Sequence, residues 1–537
     1  MIYLEHTYDL DEVATRFIHQ LPSKKHTLKQ GLSLWTTYVD LISKAIHKSI
    51  ILARSDQIEE NTLPMPWEDL NNKLGRSRIN NTAYLHWFHQ NYPLVKMLKL
   101  GKPGTLTMVE PLANIKLAAA SQSAAECFKE MYEEYIDDID FDWAPIDRRS
   151  LSAYIQANEN QLNTTTKGQS YVDTLLRNQV WAKTIFLCAE HCENTGYGFA
   201  IPQAVNESLF GRKYYKGLNL QNCPKIVRHA ALGTCFEYDL NASVFAWKLD
   251  VAHRQLGIPL KDLTYTLEYL DSKDKIRERL AKTLPIQSTF DKKLKIIKDV
   301  MTAIGFGARI STKNACWYDN SGQLVFTAMS KIIKSPEARQ QLFTDPWMQG
   351  FANEQVLISK TIFDLTKEHL QGLEFLQNER GNLSQNKVCA YLYQQAERSY
   401  INDLTAEAKE QNSLLLVVHD GFYTKVPQKL SRLKEILKQH NPEADINKTN
   451  INGYAFDPNI AEHENFIIDE EKKAKQYAIS KGYKPRFTEK ELEFRRKIIM
   501  TNTTIEHYKT SQNEDFNNGC RLENNYNFED DPFYMED

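Results

Sequence analysis

The sequence predicts an α+β fold, in which a mainly helical N-terminal region precedes a core of strands packed under helices. Two long stretches carry the helical half. LANIKLAAASQSAAECFKEMYEEYIDD, Leu112 to Asp138, is rich in helix formers, has apolar residues at helical spacing and follows a Lys-Pro-Gly turn at 102–104. YVDTLLRNQVWAKTIFLCAEHCE, Tyr171 to Glu193, repeats that spacing, with Thr195 and Gly196 to end it. The third observation is a change of character after residue 196. Short strand-like runs, TCFEY before Asp239 and SLLLVV before His419, alternate there with helical segments. The resulting division is a helical, thumb-like region over 1–195, a core over 196–430, a C-terminal extension over 431–520 and an acidic, disordered tail over 521–537.

Composition bounds the function classes. With 537 residues, 42% hydrophobic and 25% charged, the chain can bury a large core and reads as an ordinary globular protein. A net charge of −3 excludes a global polycation, so a nucleic-acid surface must be a local basic cleft. One candidate lies between Lys273 and Lys298, where nine Lys or Arg residues face three acidic ones. A solvated helix face explains that stretch equally well. No apolar run is long enough to span a membrane, and the N-terminus lacks a secretory pattern. Eight sparse cysteines fit reduced thiols and a cytoplasmic setting.

Two aspartates carry the chemistry. Asp239 ends a strand-like run just before a helical segment, and Asp420 follows an apolar strand and precedes a hairpin. A carboxylate at the rim of an apolar strand is costly unless it is paired or bound to a cation. Two such carboxylates meeting at one end of a sheet can hold two Mg²⁺ ions about 3.5–4 Å apart, or Mn²⁺ in their place. Each aspartate alone reads as a turn residue or helix cap.

The order of four motifs says more. GRKYYKGLNLQNCPKIVR (Gly211 to Arg228) is followed by DLNAS at Asp239, KDVMTAIGFG at Lys298 and HDGFYT at His419. Over roughly residues 205–430 the chain resembles the superfamily of phage-type or mitochondrial single-subunit RNA polymerases and family A DNA polymerases. The resemblance implies a right-hand polymerase with palm, fingers and thumb. It implies Asp239, Asp420 and the Leu240 carbonyl as metal ligands, and Lys298 on the nucleotide phosphates. Phe306 and Gly307 would line the nucleotide pocket, while Arg212, Asn219, Gln221 and Asn222 would contact the template–product duplex. The bland readings are a core aromatic for Phe306 and a packed, satisfied histidine for His419. The family's basic residue one turn before the Lys is Leu294 here, flanked by Lys293 and Lys295.

The sugar is contested. HDGFYT, GRKYY, the DxxxS spacing and VMT resemble the RNA polymerases, whereas NLQN and its spacing match the DNA polymerases. Val244, five residues after Asp239, stands where the former have Gly and the latter Glu, and it cannot hydrogen-bond a 2′-OH. Phe306 replaces a ribose-sensing Tyr, and no His lies between Leu370 and Val418 to serve as its usual partner. Failure to satisfy a buried 2′-OH costs about 1–3 kcal/mol. Motif resemblance favours a DNA-directed RNA polymerase, with a family A-like DNA polymerase second and a non-catalytic replication protein third; a non-templated terminal transferase also stays open. The expected partners are a DNA template, the nascent strand, nucleoside triphosphates and an initiation partner protein. The compact catalytic module suggests a phage or plasmid source. No proofreading is expected, because Asp137, Asp138 and Asp140 cluster at a helix end. A zinc role for Cys188 and Cys192 lacks a second ligand pair.

Overall fold

The computed structural model describes residues 2–21, 27–52, 63–74, 78–79, 82–99, 106–112, 114–117, 123–132, 141–310, 316–318, 324–378 and 381–455. Asp137, Asp138, Asp140, the acidic tail and all of the C-terminal extension beyond 455 lie outside them. The fold mixes helices and sheets, as expected for an α+β protein. The chain divides into two compact units. Unit 1 carries Met1–Val205, Tyr215–Thr234 and the segment from Ile451, and unit 2 carries Asn206–Tyr214 and Cys235–Asn450.

Unit 1 has more strand than the sequence suggests. Besides helices α1 (Leu10–His19) and α2 (Leu28–Leu52), it contains strands β1 (Ile2–Glu5), β2 (Leu63–Met65), β3 (Val95–Lys99) and β4 (Thr107–Pro111). The predicted helix over Leu112–Asp138 is corrected. Residues Asn114–Leu117 form strand β5, antiparallel to β1 with Tyr3 opposite Lys116. Among the described residues of the stretch, helix α3 covers Ala124–Tyr132. Backbone pairing with β1 outweighs the helix propensity of the preceding segment, a tertiary override of a weak local bias.

Strand β6 (Phe141–Pro145) pairs antiparallel with β7 (Ala200–Glu207), and between them run α4 (Arg148–Thr164) and α5 (Gln169–Asn194). Asp147 caps α4 by accepting from the Ser150 N–H at 2.9 Å. Helix α5 confirms the stretch read at Tyr171–Glu193, and its C-cap is Thr195.

Unit 2 is built on a four-stranded sheet. In spatial order its strands are β9 (Leu414–Val418), β10 (Gly421–Thr424), β8 (Cys235–Asn241) and β11 (Asp445–Ile451). Tyr238 and Phe422 lie opposite each other in the register and stack at 4.9 Å. With Leu240 they pack against Leu404 of helix α10 (Gln385–Glu410) and Leu437 of helix α11 (Leu430–His440). Burying each such side chain stabilises by about 1.5–3 kcal/mol.

A second core joins α6 (Ser243–Asp250), α7 (Thr264–Thr283), α8 (Phe290–Gly305), α9 (Pro346–Leu370) and α10. Helix α8 starts at Thr289, whose side chain accepts from the Lys292 N–H. Ile297, Val300, Met301 and Ile304 recur at helical spacing and are buried, so α8 presents one apolar face to this core. It stops at Phe306, followed by Gly307 with a left-handed φ of 94°.

Among the described residues no helix is long and apolar enough to cross a membrane.

Candidate functional site

Strand alternation aims Asp239. Along β8, Tyr238 and Leu240 are buried and Asp239 between them is exposed, so its carboxylate projects from the opposite face. Gly421 is its cross-strand partner, and the Leu240 N–H donates to the Asp420 carbonyl at 2.9 Å. Asp239 on β8 therefore lies beside the turn that carries Asp420, 181 positions away in sequence. A Cβ on Gly421 would stand 2.7 Å from the Tyr238 carbonyl, so the strands approach this closely only because position 421 is glycine.

Backbone strain collects around the same pair. Ala242 (φ 48°) turns β8 into α6, and His419 (φ 42°) opens the His419-Asp420 turn between β9 and β10. Non-glycine residues in the left-handed region cost roughly 1 kcal/mol each. Such strain gathers at sites where geometry matters more than stability.

Behind the hairpin lies a buried polar chain that the sequence did not reveal. Arg212 and Glu397 form a bidentate ion pair, Nε to Oε2 at 2.5 Å and Nη2 to Oε1 at 2.8 Å, with both side chains buried. The Tyr393 hydroxyl donates to Glu397 and meets the Ser243 hydroxyl at 2.7 Å. The Tyr393 ring packs at 5.7 Å against both Phe306 and Trp247. This chain links α10 to the start of α6, five residues or fewer from Asp239. Glu397 is 185 positions from Arg212, too far for spacing to reveal the pair.

Electrostatics follow from the packing. Burial pushes the half-buried Asp420 carboxyl up to about 6, and the negative charge of Glu397 pushes the same way. Arg212, a backbone hydrogen bond and Lys298 oppose the rise. On the exposed face of β8, Lys273 donates to the Asn241 carboxamide. Burial lowers the proton affinity of Lys273, as do Arg277 and Lys298, while Asp274 and Asp239 raise it. Tyr269 holds Arg277 in place, its hydroxyl accepting from Nε at 2.9 Å. Lys273 is thus in electrostatic reach of Asp239 and Lys298 of Asp420, with Arg277 beside Lys273. They belong to the basic stretch noted in the sequence, which singled out Lys298 alone.

The other predicted residues divide. Phe306 and Val244 are both buried in the helical core. Val244 leans on α8, because a Cβ on Gly305 would stand 3.1 Å from its Cγ1. Gly307 is required: a Cβ there would overlap the Asn386 carboxamide at 2.1 Å. Leu294 packs on the core, and the neighbouring Lys293 donates to the Leu284 carbonyl at 2.8 Å. The segment containing Arg212, Asn219, Gln221 and Asn222 is split, with Arg212 in unit 2 and the other three in unit 1. Arg212, Asn219 and Gln221 are buried and Asn222 is exposed. Asn219 shapes its own loop, donating to the Tyr215 and Gly217 carbonyls and accepting from the Asn222 N–H.

The donors are of the kind a hard divalent cation takes: a carboxylate exposed on β8 and another half-buried in the adjoining turn with its charge disfavoured, beside a strand backbone. Among the described residues no group of three or more His, Cys, Asp or Glu side chains is placed to hold a metal. The carboxylate pair would therefore need backbone, water or substrate oxygens to complete a shell. No protein-family model matches the chain, and no curated protein matches its sequence.

Proposed function

We propose that the chain is a template-directed nucleotidyltransferase using two Mg²⁺ ions, with unit 2 serving as palm and fingers of a right-hand polymerase. The favoured activity is DNA-directed synthesis of RNA from nucleoside triphosphates. The observation that carries this reading is that Asp239 pairs across the sheet with Gly421, next to Asp420, while Lys273 interacts with Asp239 and Lys298 with Asp420.

Asp239, Asp420 and the Leu240 carbonyl would hold the ions. Bound metal would activate the attacking hydroxyl and stabilise the leaving pyrophosphate. Lys298 is exposed and would reach triphosphate oxygens, offsetting charge that develops during transfer. The buried Arg212–Glu397–Tyr393–Ser243 chain would fix the hairpin and the start of α6 without touching substrate.

One observation favours dNTPs as a second reading. The nearby wall is apolar at Val244 and Phe306, and the Tyr393 hydroxyl is already engaged by Ser243 and Glu397. Such a wall offers little to a ribose 2′-OH.

The test is extension of a primed single-stranded DNA template with Mg²⁺ and all four nucleotides of each sugar type. RNA synthesis supports the favoured reading. Incorporation of dNTPs alone overturns the RNA assignment. Template binding without any synthesis would mean a non-catalytic nucleic-acid-binding protein.

A further inference from the structure

Unit 1 holds a cluster of thiols outside the candidate site. Cys127 lies on α3, and Cys188 and Cys192 lie one turn apart on α5. The Sγ atoms of Cys127 and Cys188 are 3.8 Å apart, in van der Waals contact, although 61 positions separate them in sequence. Cys127 also points its sulfur at the Thr184 carbonyl of α5, at 4.0 Å. All three cysteines are free and buried. The Tyr132 phenol is buried beside all three and donates to the Leu218 carbonyl at 3.0 Å, closing the cluster from that side. No metal reading survives the geometry, since the three sulfurs are not placed as a metal-holding group.

We propose that Cys127 and Cys188 are an oxidisable pair, forming a disulfide that staples α3 to α5 when the protein meets a peroxide. The chemistry needs two thiols and one hydrogen peroxide. One sulfur, as thiolate, attacks peroxide to give a sulfenic acid and releases water. The second thiol then attacks that sulfur, forms the S–S bond and releases a second water. Two electrons leave the sulfur pair and reduce the peroxide. Closing a 3.8 Å contact to a bond of about 2.05 Å requires only a small approach of two neighbouring helices. Cys192 sits on the same helix as Cys188, where a disulfide between them would have to bridge successive turns, so Cys127 is the better partner.

The burial that brings the pair together also protects it. Burial raises the Cys188 thiol well above its ordinary range, and the neighbouring Cys127 adds to the rise. Burial pushes Cys192 up to about 12. Cys188 and Cys192 therefore carry little thiolate at neutral pH, and the native protein oxidises slowly.

The test is peptide mapping of the intact chain after incubation with hydrogen peroxide, with alkylation of the remaining thiols before digestion. The expected product is one linked peptide pair joining Cys127 to Cys188, about 2 Da lighter than the two thiol peptides, and released by dithiothreitol. It should persist in Cys192→Ser and vanish in Cys188→Ser. Oxidised wild type should melt higher than the same sample after reduction, by several degrees. Recovery of Cys127 and Cys188 as separate alkylated or over-oxidised peptides overturns the proposal. So does a crosslink of either one to any other cysteine.

Discussion

Asp420→Asn separates the cost of the site from its use. Its carboxyl is raised from 3.8 to about 6, chiefly by burial. A rise of that size corresponds to about 3 kcal/mol of disfavoured charge at neutral pH. Water reaching the half-buried group reduces this to roughly 1–2 kcal/mol. The folded state holds the proton more tightly than the unfolded chain, so the penalty is absent below about pH 4. It grows as pH rises towards 6 and is complete above that. Asn keeps the shape and cannot ionise. The variant should therefore be more stable than wild type by roughly 1–2 kcal/mol at pH 8 and equal to it near pH 4, as read by urea unfolding. Added Mg²⁺ should stabilise wild type by mass action and leave the variant unchanged. Nucleotide extension by the variant should fall below detection. A variant that is less stable at pH 8, or that still extends primers at the wild-type rate, refutes this account of Asp420.

Three other outcomes follow from the same packing. Glu397→Ala strands the buried Arg212 and should cost about 3–5 kcal/mol in chemical unfolding, whereas the double variant Arg212→Leu/Glu397→Leu should recover much of that loss. Lys298→Ala removes a cation that holds Asp420 down, so the acid limb of the extension rate against pH should move to higher pH while the maximal rate falls. Lys248 is buried on α6 with Ser359 as its hydrogen-bond partner, and burial lowers it to about 8. Its folded value lies below its unfolded one, so stability should rise as pH climbs from about 8 to 10.5, and Lys248→Met should abolish that slope and be more stable at pH 7.

Local signals located the strand carrying Asp239, the strand just before Asp420, the helix carrying Lys298 and helix α5 correctly. Each has a strong periodic pattern and clear end signals, and such patterns constrain the backbone wherever the element ends up. The segment from Leu112 misled for the opposite reason. Its composition favours helix, but the free edge of Ile2–Glu5, more than a hundred positions away, pairs with Asn114–Leu117. The thiols of Cys188 and Cys192 were visible as a helical pair, while the sulfur in contact with Cys188 belongs to Cys127 on another helix.

The sequence by itself determined that one aspartate lies near the end of a strand and another just past one, that a basic helix carries Lys298 and that glycines follow Phe306 and Asp420. These are properties of short windows, where periodicity and turn chemistry act over a few residues. Tertiary structure alone decided that Asp239 pairs with Gly421 beside Asp420, that Arg212 is tied to Glu397 and that Val244 leans on Gly305. Contacts spanning up to 185 positions depend on how sheets and helices pack, and no local pattern encodes the partner.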